Sequence, residues 1–279
     1  MIRDIFVPLL RLASDESALD VAMALALAHD AHISALVTLE HPMPMVTELG
    51  YVPLELSQQQ LDAARAAADV QAAHARVRLA REAVSSEVRM TEVMLLWSEE
   101  AAALQARHAD ISVLGGPDPT HATPRFALTF KSLLMQSGRP VLVVPTGATL
   151  SVPPQKVVLA WRPTREATRA LHDALPLLAK ASEIDVLMID PQTAHGRHGE
   201  EPGADIAKHL SRHGLSVRVV ALPRKGLSDG ASLLRYVQEV GADLLVMGGY
   251  GHARWREAVL GGATHAVLEG ARKPVLFAH

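Results

Sequence analysis

Residues Ala109 to Gly116 read ADISVLGG, and residues Ala242 to Gly249 read ADLLVMGG. Each copy is a short apolar run that ends in two glycines. The alanine is followed 31 residues later by Pro140 to Val143 (PVLV) in the first copy, and 32 residues later by Pro274 to Phe277 (PVLF) in the second. Because the two spacings are nearly equal, the sequence predicts an internal duplication, in which one structural unit occurs twice along the chain.

The two copies also begin alike. Asp4 to Val7 (DIFV) and Val157 to Ala160 (VVLA) each precede a segment of helical period. Between the copies, Gly147 and the pair Pro153-Pro154 interrupt regular structure. We therefore predict two tandem domains, residues 1–147 and residues 154–279.

Short apolar strands alternate with helical segments in the order β-α-β-α-β-α-β-α-β within each copy. This alternation predicts an α/β fold, with two Rossmann-like domains built on doubly wound parallel sheets that are covered by helices on both faces. In the second copy we expect strands near 156–161, 184–190, 215–221, 243–248 and 274–278. We expect helices near 164–181, 204–213, 229–240 and 262–271.

The closing strands of the two copies are apolar, and an apolar edge strand is an aggregation hazard unless another strand covers it. We therefore expect Val141–Val143 to pair with Val275–Phe277, so that the chain is an intramolecular pseudo-dimer. Such a fusion lowers the need for a further homodimer without forbidding one. In the first copy, residues 40–55 are expected to form a loop. The Ala-rich stretch 58–81 is expected to be a helix, which either covers the partner domain or a cleft, or lies on the surface.

Composition excludes several classes of function. The chain of 279 residues has a formal net charge of −3, with no basic stripe, so nucleic acid and anionic membranes are poor partners. It has no cysteine, which excludes disulfides and thiol catalysis. The longest apolar run, Val21 to Ala28, is far shorter than the roughly 20 residues that span a bilayer. Because the amino terminus also lacks a leader pattern, we expect a soluble cytoplasmic protein.

A glycine pattern follows the fourth strand of the second copy: Gly248-x-x-Gly251-x9-Gly261-Gly262-x-Thr264. Glycines between a strand and a helix let an anion approach the backbone N–H groups and the positive end of the helix dipole. Thr264 adds a hydroxyl donor. The spacing is neither that of a P-loop nor GxGxxG, so the glycines either bind phosphate or serve only a tight turn and helix packing.

The strand ending in Met247-Gly248, the glycine segment and the closing Pro-Val-Leu strand together resemble the ATP-binding signature of the universal stress protein family. The tandem layout is similar to that of its two-domain members. The resemblance implies an adenine nucleotide, ATP with or without Mg²⁺, whose ribose and phosphates lie along the glycine loop. The residues implied on that side are Met247, Gly248, Gly251, His252, Gly261, Gly262, Ala263 and Thr264. The residues implied near the base are Ala160, Trp161, Arg162 and Met188.

Two positions depart from the family pattern. Gly262 stands where the family usually has Ser or Thr, and Arg162 stands where it usually has an Asp that contacts adenine. The guanidinium of Arg162 would stack on a base, pair with a phosphate, or lie in solvent. Either way, the contact to adenine differs from that of the family.

The first copy lacks an equivalent site. Asp118 corresponds to Gly251, and its negative charge would oppose a phosphate. Ala127 and Leu128 replace the glycine pair, and Leu10 replaces the acid at the end of the first strand. We expect the first domain to be structural.

Other candidate residues give weaker signals. His195 and His198 lie at i and i+3, close to Glu200 and Glu201. They would either ligate zinc or belong to a solvated loop, and we expect no metal site. No catalytic residue is expected, because the chain contains neither GxSxG nor HExxH.

Three aromatic residues near the glycine segment have alternative roles. His252 would assist hydrolysis, donate a hydrogen bond or face solvent. Trp161 and Trp255 would either wall a base pocket or pack under the helices.

The preferred hypothesis is a stress-response protein that binds ATP in its second domain, or a protein partner, or both. The first alternative is a nucleotide-free scaffold that recruits a protein through its first domain. The second is a slow ATPase; an efficient enzyme is not indicated, and fold alone does not establish activity.

Overall fold

A computed structural model describes residues 1–41, 46–47, 50–51, 54–94, 98–117, 124–191, 201–250 and 262–279. The strands are β1 (Asp4–Leu9), β2 (His32–His41), β3 (Val46–Thr47), β4 (Gly50–Tyr51), β5 (Ser85–Met94), β6 (Ile111–Gly115), β7 (Val141–Val144), β8 (Lys156–Ala160), β9 (Glu183–Ile189), β10 (Val217–Leu222), β11 (Leu244–Gly248) and β12 (Val275–Ala278). The helices are α1 (Asp15–His29), α2 (Leu54–Leu79), α3 (Ser98–Ala106), α4 (Pro124–Gln136), α5 (Arg165–Leu178), α6 (Ala204–Arg212), α7 (Asp229–Val240) and α8 (Gly262–Gly270).

Ten of these strands form one sheet, in the order β10-β9-β8-β11-β12-β7-β6-β1-β2-β5. Within each half the first strand lies between the second and the fourth, as in a doubly wound sheet. All neighbours are parallel except β12 and β7, which are antiparallel. The predicted fold class is confirmed.

The two halves join through their closing strands, as predicted. Val275 pairs with Val143, Leu276 with Leu142 and Phe277 with Val141 in antiparallel register. These side chains are at most 3% exposed. Each strand therefore covers the edge that its partner would otherwise leave open.

Two hydrophobic clusters lie on opposite faces of the sheet, because successive side chains of a strand point to opposite sides. One contains Ile5, Val7 and residues of α1, α2, α5 and α6. The other contains Phe6 and residues of α3, α4, α7 and α8. The buried residues of the first cluster are alanine, methionine and aliphatic side chains, whereas all four phenylalanines of the chain lie in the second.

The duplicated Ala-Asp pair has the same structural role in both halves. The Oδ2 atom of Asp110 accepts hydrogen bonds from the backbone N–H groups of Arg3, at 2.6 Å, and Asp4, at 3.1 Å. The Oδ2 atom of Asp243 accepts from Gln155, at 2.9 Å, and Lys156, at 3.0 Å. Each carboxylate thus ties the start of the fourth strand of its half to the start of the first.

Helix α2 lies on the surface and packs against β2 and β5. It does so through Ala68, Ala72, Ala75 and Leu79, which are buried. The other face, with Ala63, Ala66, Ala67, Val70 and Ala73, is exposed. It is therefore a surface helix, and its Gln71 also reaches Arg11 and Asp15 beyond the end of β1. Among the helices in the described ranges, none is both long and apolar enough to cross a membrane.

Candidate functional site

The carboxyl ends of β8 and β11 lie side by side, because these strands pair from Val157–Leu244 to Leu159–Val246. The strand order of the second half reverses between them. Ligands of doubly wound sheets bind in the crevice beyond such a reversal. The chain leaves β8 through Trp161 and Arg162, and it leaves β11 through Gly249 and Tyr250.

Gly248 lies against the first turn of α5. A Cβ atom at this position would be 2.7 Å from the amide nitrogen of Ala167 and 2.7 Å from the carbonyl carbon of Glu166. Its counterpart Gly115 has the same constraint, since a Cβ there would be 2.9 Å from the carbonyl carbon of Ser14. Helix packing therefore requires both glycines, and contact of Gly248 with a phosphate stays a prediction.

Thr264 holds the chain that leaves β11. Its side chain is buried, and Oγ1 accepts a hydrogen bond of 3.4 Å from the backbone N–H of Tyr250. Tyr250 has φ of 59°, an uncommon value for a residue with a side chain. Its ring lies 6.5 Å from that of Phe130 in the first half, and burial raises the pKa of its hydroxyl to about 12. Thr264 and Tyr250 thus fix the entrance to the glycine segment.

Helix α8 begins at Gly262, which is exposed. Among the described residues, a Cβ at this position would meet no atom within 4 Å. Ala263 is half-buried against the start of α7, where a Cβ on Gly230 would be 3.0 Å from the Ala263 carbonyl oxygen. The first turn of a helix has N–H groups without partners inside the helix, so this end can hold an anion.

The predicted base-side residues divide into two groups. Met188 is 1% exposed, and its Cε lies 2.7 Å from where a Cβ on Gly203 would be, so it packs against the start of α6. Trp161 is half-buried against the core, and its backbone N–H donates to the carbonyl of Leu187 at 2.8 Å. Ala160 and Arg162 are also half-buried, at the end of β8. Met188 is thus the one base-side residue that is fully covered by the protein.

Arg162 makes an ion pair across the site. Its Nη2 donates to Oδ2 of Asp229, the first residue of α7, at 2.8 Å. Nη2 of Arg224 lies 3.0 Å from the other oxygen, Oδ1. Two guanidinium groups therefore share one carboxylate, and the cluster carries one excess positive charge. Sequence analysis missed Asp229 and Arg224 as site residues, because each lies more than 60 positions from Arg162 and neither belongs to a motif.

The equivalent position of the first half, just after β1, has different residues. Leu10 is buried in the core, and Asp15 is 7% exposed at the start of α1. Oδ2 of Asp15 accepts from the backbone N–H groups of Arg11, at 2.8 Å, and Leu12, at 3.3 Å. Burial raises the pKa of this carboxyl to about 6. Ala127 and Leu128 lie within α4, half-buried and exposed respectively.

Several predicted residues lie outside the described ranges. They are Gly251, His252, Trp255 and Gly261 of the glycine segment, Asp118 of the first copy, and His195, His198 and Glu200. Glu201 is described and exposed.

Comparison with known proteins supports the fold. Residues 154–279 match the Universal stress protein family. A universal stress protein from Archaeoglobus fulgidus DSM 4304 has a similar structure, with a TM-score of 0.71 and 14% identity over 99% of this chain and 95% of that one. A putative universal stress protein from Pseudomonas aeruginosa UCBPP-PA14 has a TM-score of 0.58 and 16% identity, over 99% and 93% of the two chains. At these identities the likeness shows the fold.

A different protein matches part of the sequence. Large ribosomal subunit protein uL6 of Clostridium perfringens strain 13 is 27% identical in an alignment of 149 residues that covers 49% of this chain and 75% of that protein. The present chain has 27 Lys and Arg against 30 Asp and Glu. It therefore lacks the excess positive charge with which proteins bind an RNA backbone, and this partial likeness leads to no functional proposal.

Proposed function

We propose that the second domain, residues 154–279, binds an adenine nucleotide, ATP with or without Mg²⁺, and that the protein acts in a cytoplasmic stress response. The observation that carries the proposal is the convergence of a cationic cluster and the start of helix α8 at the reversal of strand order. Asp229, which pairs with Arg162 and Arg224, directly precedes Gly230, and Gly230 contacts the first turn of α8. Positive charge and unpaired N–H groups at one place suit a polyphosphate.

In this proposal the phosphates lie at the start of α8 and along the glycine segment, near Gly251, His252, Gly261, Gly262 and Ala263. Asp229 holds the guanidinium of Arg162 at the mouth of the crevice. The side chain of Arg162 is 41% exposed, so N–H groups that do not face Asp229 are accessible to a ligand. Arginine presents five N–H donors in a rigid plane, which fits a phosphate or the face of a base.

The first domain, residues 1–147, would be structural and would shield β12. Leu10 is buried just after β1, and Asp15 places a carboxyl group against the N–H groups of Arg11 and Leu12, so neither side chain offers positive charge to a second phosphate. We propose that a protein partner reads the nucleotide-bound state, and that any ATP hydrolysis is slow.

Calorimetry with ATP, ADP and AMP, with and without Mg²⁺, tests the site. We expect saturable binding to the wild-type protein and loss of binding in Gly251→Asp, because a carboxylate in the glycine segment repels phosphate. Ala73→Asp adds the same charge on the exposed face of α2 and is the matched control. Binding that persists unchanged in Gly251→Asp would place the nucleotide elsewhere.

A nucleotide-free scaffold is the second candidate, and the pairing of Arg162 with Asp229 and the burial of Met188 favour it. Both residues already have partners within the protein. The absence of heat and of any thermal shift with all three nucleotides would select this candidate. The third candidate is a slow ATPase. Phosphate release by the wild-type protein tests it, and equal release by His252→Ala would remove His252 from any catalytic role.

A further inference from the structure

Three histidines from two neighbouring helices lie together on the outer surface of the second half. His172 belongs to α5, His209 belongs to α6, and His213 ends α6 as its C-terminal cap. The ring centroids are 4.8 Å apart for His209 and His213, 5.3 Å for His172 and His209, and 6.3 Å for His172 and His213. This cluster is remote in sequence from the glycine segment and has no part in the proposed nucleotide site.

The spacing on α6 is favourable for metal binding. His209 and His213 are separated by four positions, so they lie on one face of the helix, one turn apart. Paired histidines at i and i+4 on a helix are an established way to hold zinc. His172 supplies a third imidazole from the adjacent helix, which makes the set large enough for a metal ion with one open position.

The distances between the rings also agree with this chemistry. Imidazole nitrogens bind zinc at about 2.0–2.1 Å, so two rings on one tetrahedral ion have centroids roughly 5 Å apart. The pairs at 4.8 and 5.3 Å agree with this separation, whereas the pair at 6.3 Å is wider. Among the described residues no group of three such side chains is placed to hold a metal ion as it stands. Closure of the site therefore takes rotation of the rings, and those of His172 and His213 are exposed.

His209 supplies an independent observation. Its Nε2 is buried and has no hydrogen-bond partner. Buried polar atoms without partners are rare in native proteins, because the lost hydrogen bond to water is not replaced. A bound metal ion would give this nitrogen the partner that the protein itself does not provide.

We propose that His172, His209 and His213 bind one divalent transition-metal ion of the Zn²⁺, Ni²⁺ or Cu²⁺ class, which links α5 to α6. Imidazole nitrogen suits these ions, whereas Mg²⁺ and Ca²⁺ prefer oxygen ligands. Helix α5 packs on β11 and β12, and α6 packs on the edge strand β10. The ion would therefore fasten the edge of the sheet to its centre and stabilise the second half.

Zinc titration of the full chain without an affinity tag tests this proposal. By calorimetry we expect one equivalent of Zn²⁺ that is bound at least about tenfold more weakly by His172→Ala and by His213→Ala. Both residues are exposed, so these variants should fold as the wild type does. His108→Ala removes an exposed histidine outside the cluster and should leave Zn²⁺ binding unchanged.

A second measurement covers His209, whose replacement could disturb packing. We expect Zn²⁺ to raise the thermal unfolding midpoint of the wild-type protein, and Mg²⁺ at the same concentration to leave it unchanged. His209→Gln, of similar size, should lose the response to Zn²⁺. Zinc affinity that is the same in the wild type, His172→Ala and His213→Ala would overturn the proposal. Because no nucleotide enters these experiments, their result is independent of the proposed nucleotide site.

Discussion

Arg162 at the end of β8 donates a hydrogen bond of 2.8 Å to Asp229 at the start of α7, across 67 positions of sequence. The pair joins the first strand of the second half to α7, and α7 contacts the first turn of α8. It also explains how arginine is accommodated where the resemblance implies an acid. The acidic group is present at the crevice, but α7 supplies it instead of β8.

Replacement of Arg162 by Gln should weaken the binding of ATP more than that of AMP. The change removes one positive charge from the mouth of the crevice, and a hydrogen bond from a charged group contributes about 1.5–3 kcal/mol. We therefore expect roughly a tenfold or greater rise in the Kd for ATP. Calorimetry at two salt concentrations checks the result, since an exposed charge contributes less at high ionic strength.

Arg235→Gln is a suitable control, because Arg235 is an exposed arginine of α7 that pairs with Glu239. Equal loss of affinity for ATP and AMP in Arg162→Gln would indicate contact with the base instead. Unchanged affinity for both nucleotides would remove Arg162 from the site.

Gly248→Ala and Gly115→Ala should both destabilise the fold. In each case the added Cβ meets the backbone at the start of a helix within 3.0 Å, and overpacking of this kind typically costs about 1–3 kcal/mol. Gly262→Ala is the matched control, because a Cβ there meets no atom of the described part of the chain within 4 Å and the stability should change little. Denaturant unfolding measures all three variants. If Gly248→Ala lost nucleotide affinity but kept the stability of the wild type, ligand contact and not helix packing would be the reason for the glycine.

Asp15 should make stability depend on pH. Its pKa is raised by burial to about 6 in the folded protein, from an ordinary value of 3.8. The folded state therefore binds more protons than the unfolded state between about pH 4 and pH 6, so this group stabilises the fold as the pH falls and opposes folding above pH 6.

Asp15→Asn removes the charge and keeps an oxygen that can accept from Arg11 and Leu12. Relative to the wild type, we expect it to gain up to about 3 kcal/mol at pH 8, and this gain should shrink toward pH 4. Denaturant unfolding at each pH gives the difference. A gain that does not vary with pH would show that Asp15 is not the titrating group. The comparison of the variant with the wild type cancels the contributions of Asp185, Glu87 and Glu92 to the pH dependence of stability. Their pKa values are lowered, so these groups destabilise the fold as the pH falls.

The fold could be predicted because its determinants recur along the sequence. The Ala-Asp pair, the paired glycines and the closing Pro-Val-Leu run each meet a local requirement twice, so the doubly wound fold class and the β7–β12 junction could be inferred without distances. The strand expected at 215–221 lies at 217–222, and the helix expected from 58 begins at Leu54.

The site was harder to predict, because its cation cluster is assembled from β8, the chain before α7 and α7 itself. Nothing near Asp229 distinguishes an acid that only begins a helix from one that holds two arginines. Gly248 illustrates the opposite problem. A glycine in a phosphate-type pattern is also what packing of α5 demands, and sequence cannot separate the two causes when both require the same residue.

The β7–β12 junction predicts the behaviour of the second half alone. A fragment of residues 154–279 would expose the edge of β12, whose Val275, Leu276 and Phe277 are at most 2% exposed in the whole chain. Since β7 pairs with β12 in antiparallel register, a second copy of β12 can take its place around a twofold axis. We expect the folded fragment to be a dimer by light scattering, whereas Leu276→Arg in the fragment should shift it toward monomer or prevent folding. A folded, monomeric wild-type fragment would contradict this prediction, although its folding would support the proposed boundary at residue 154.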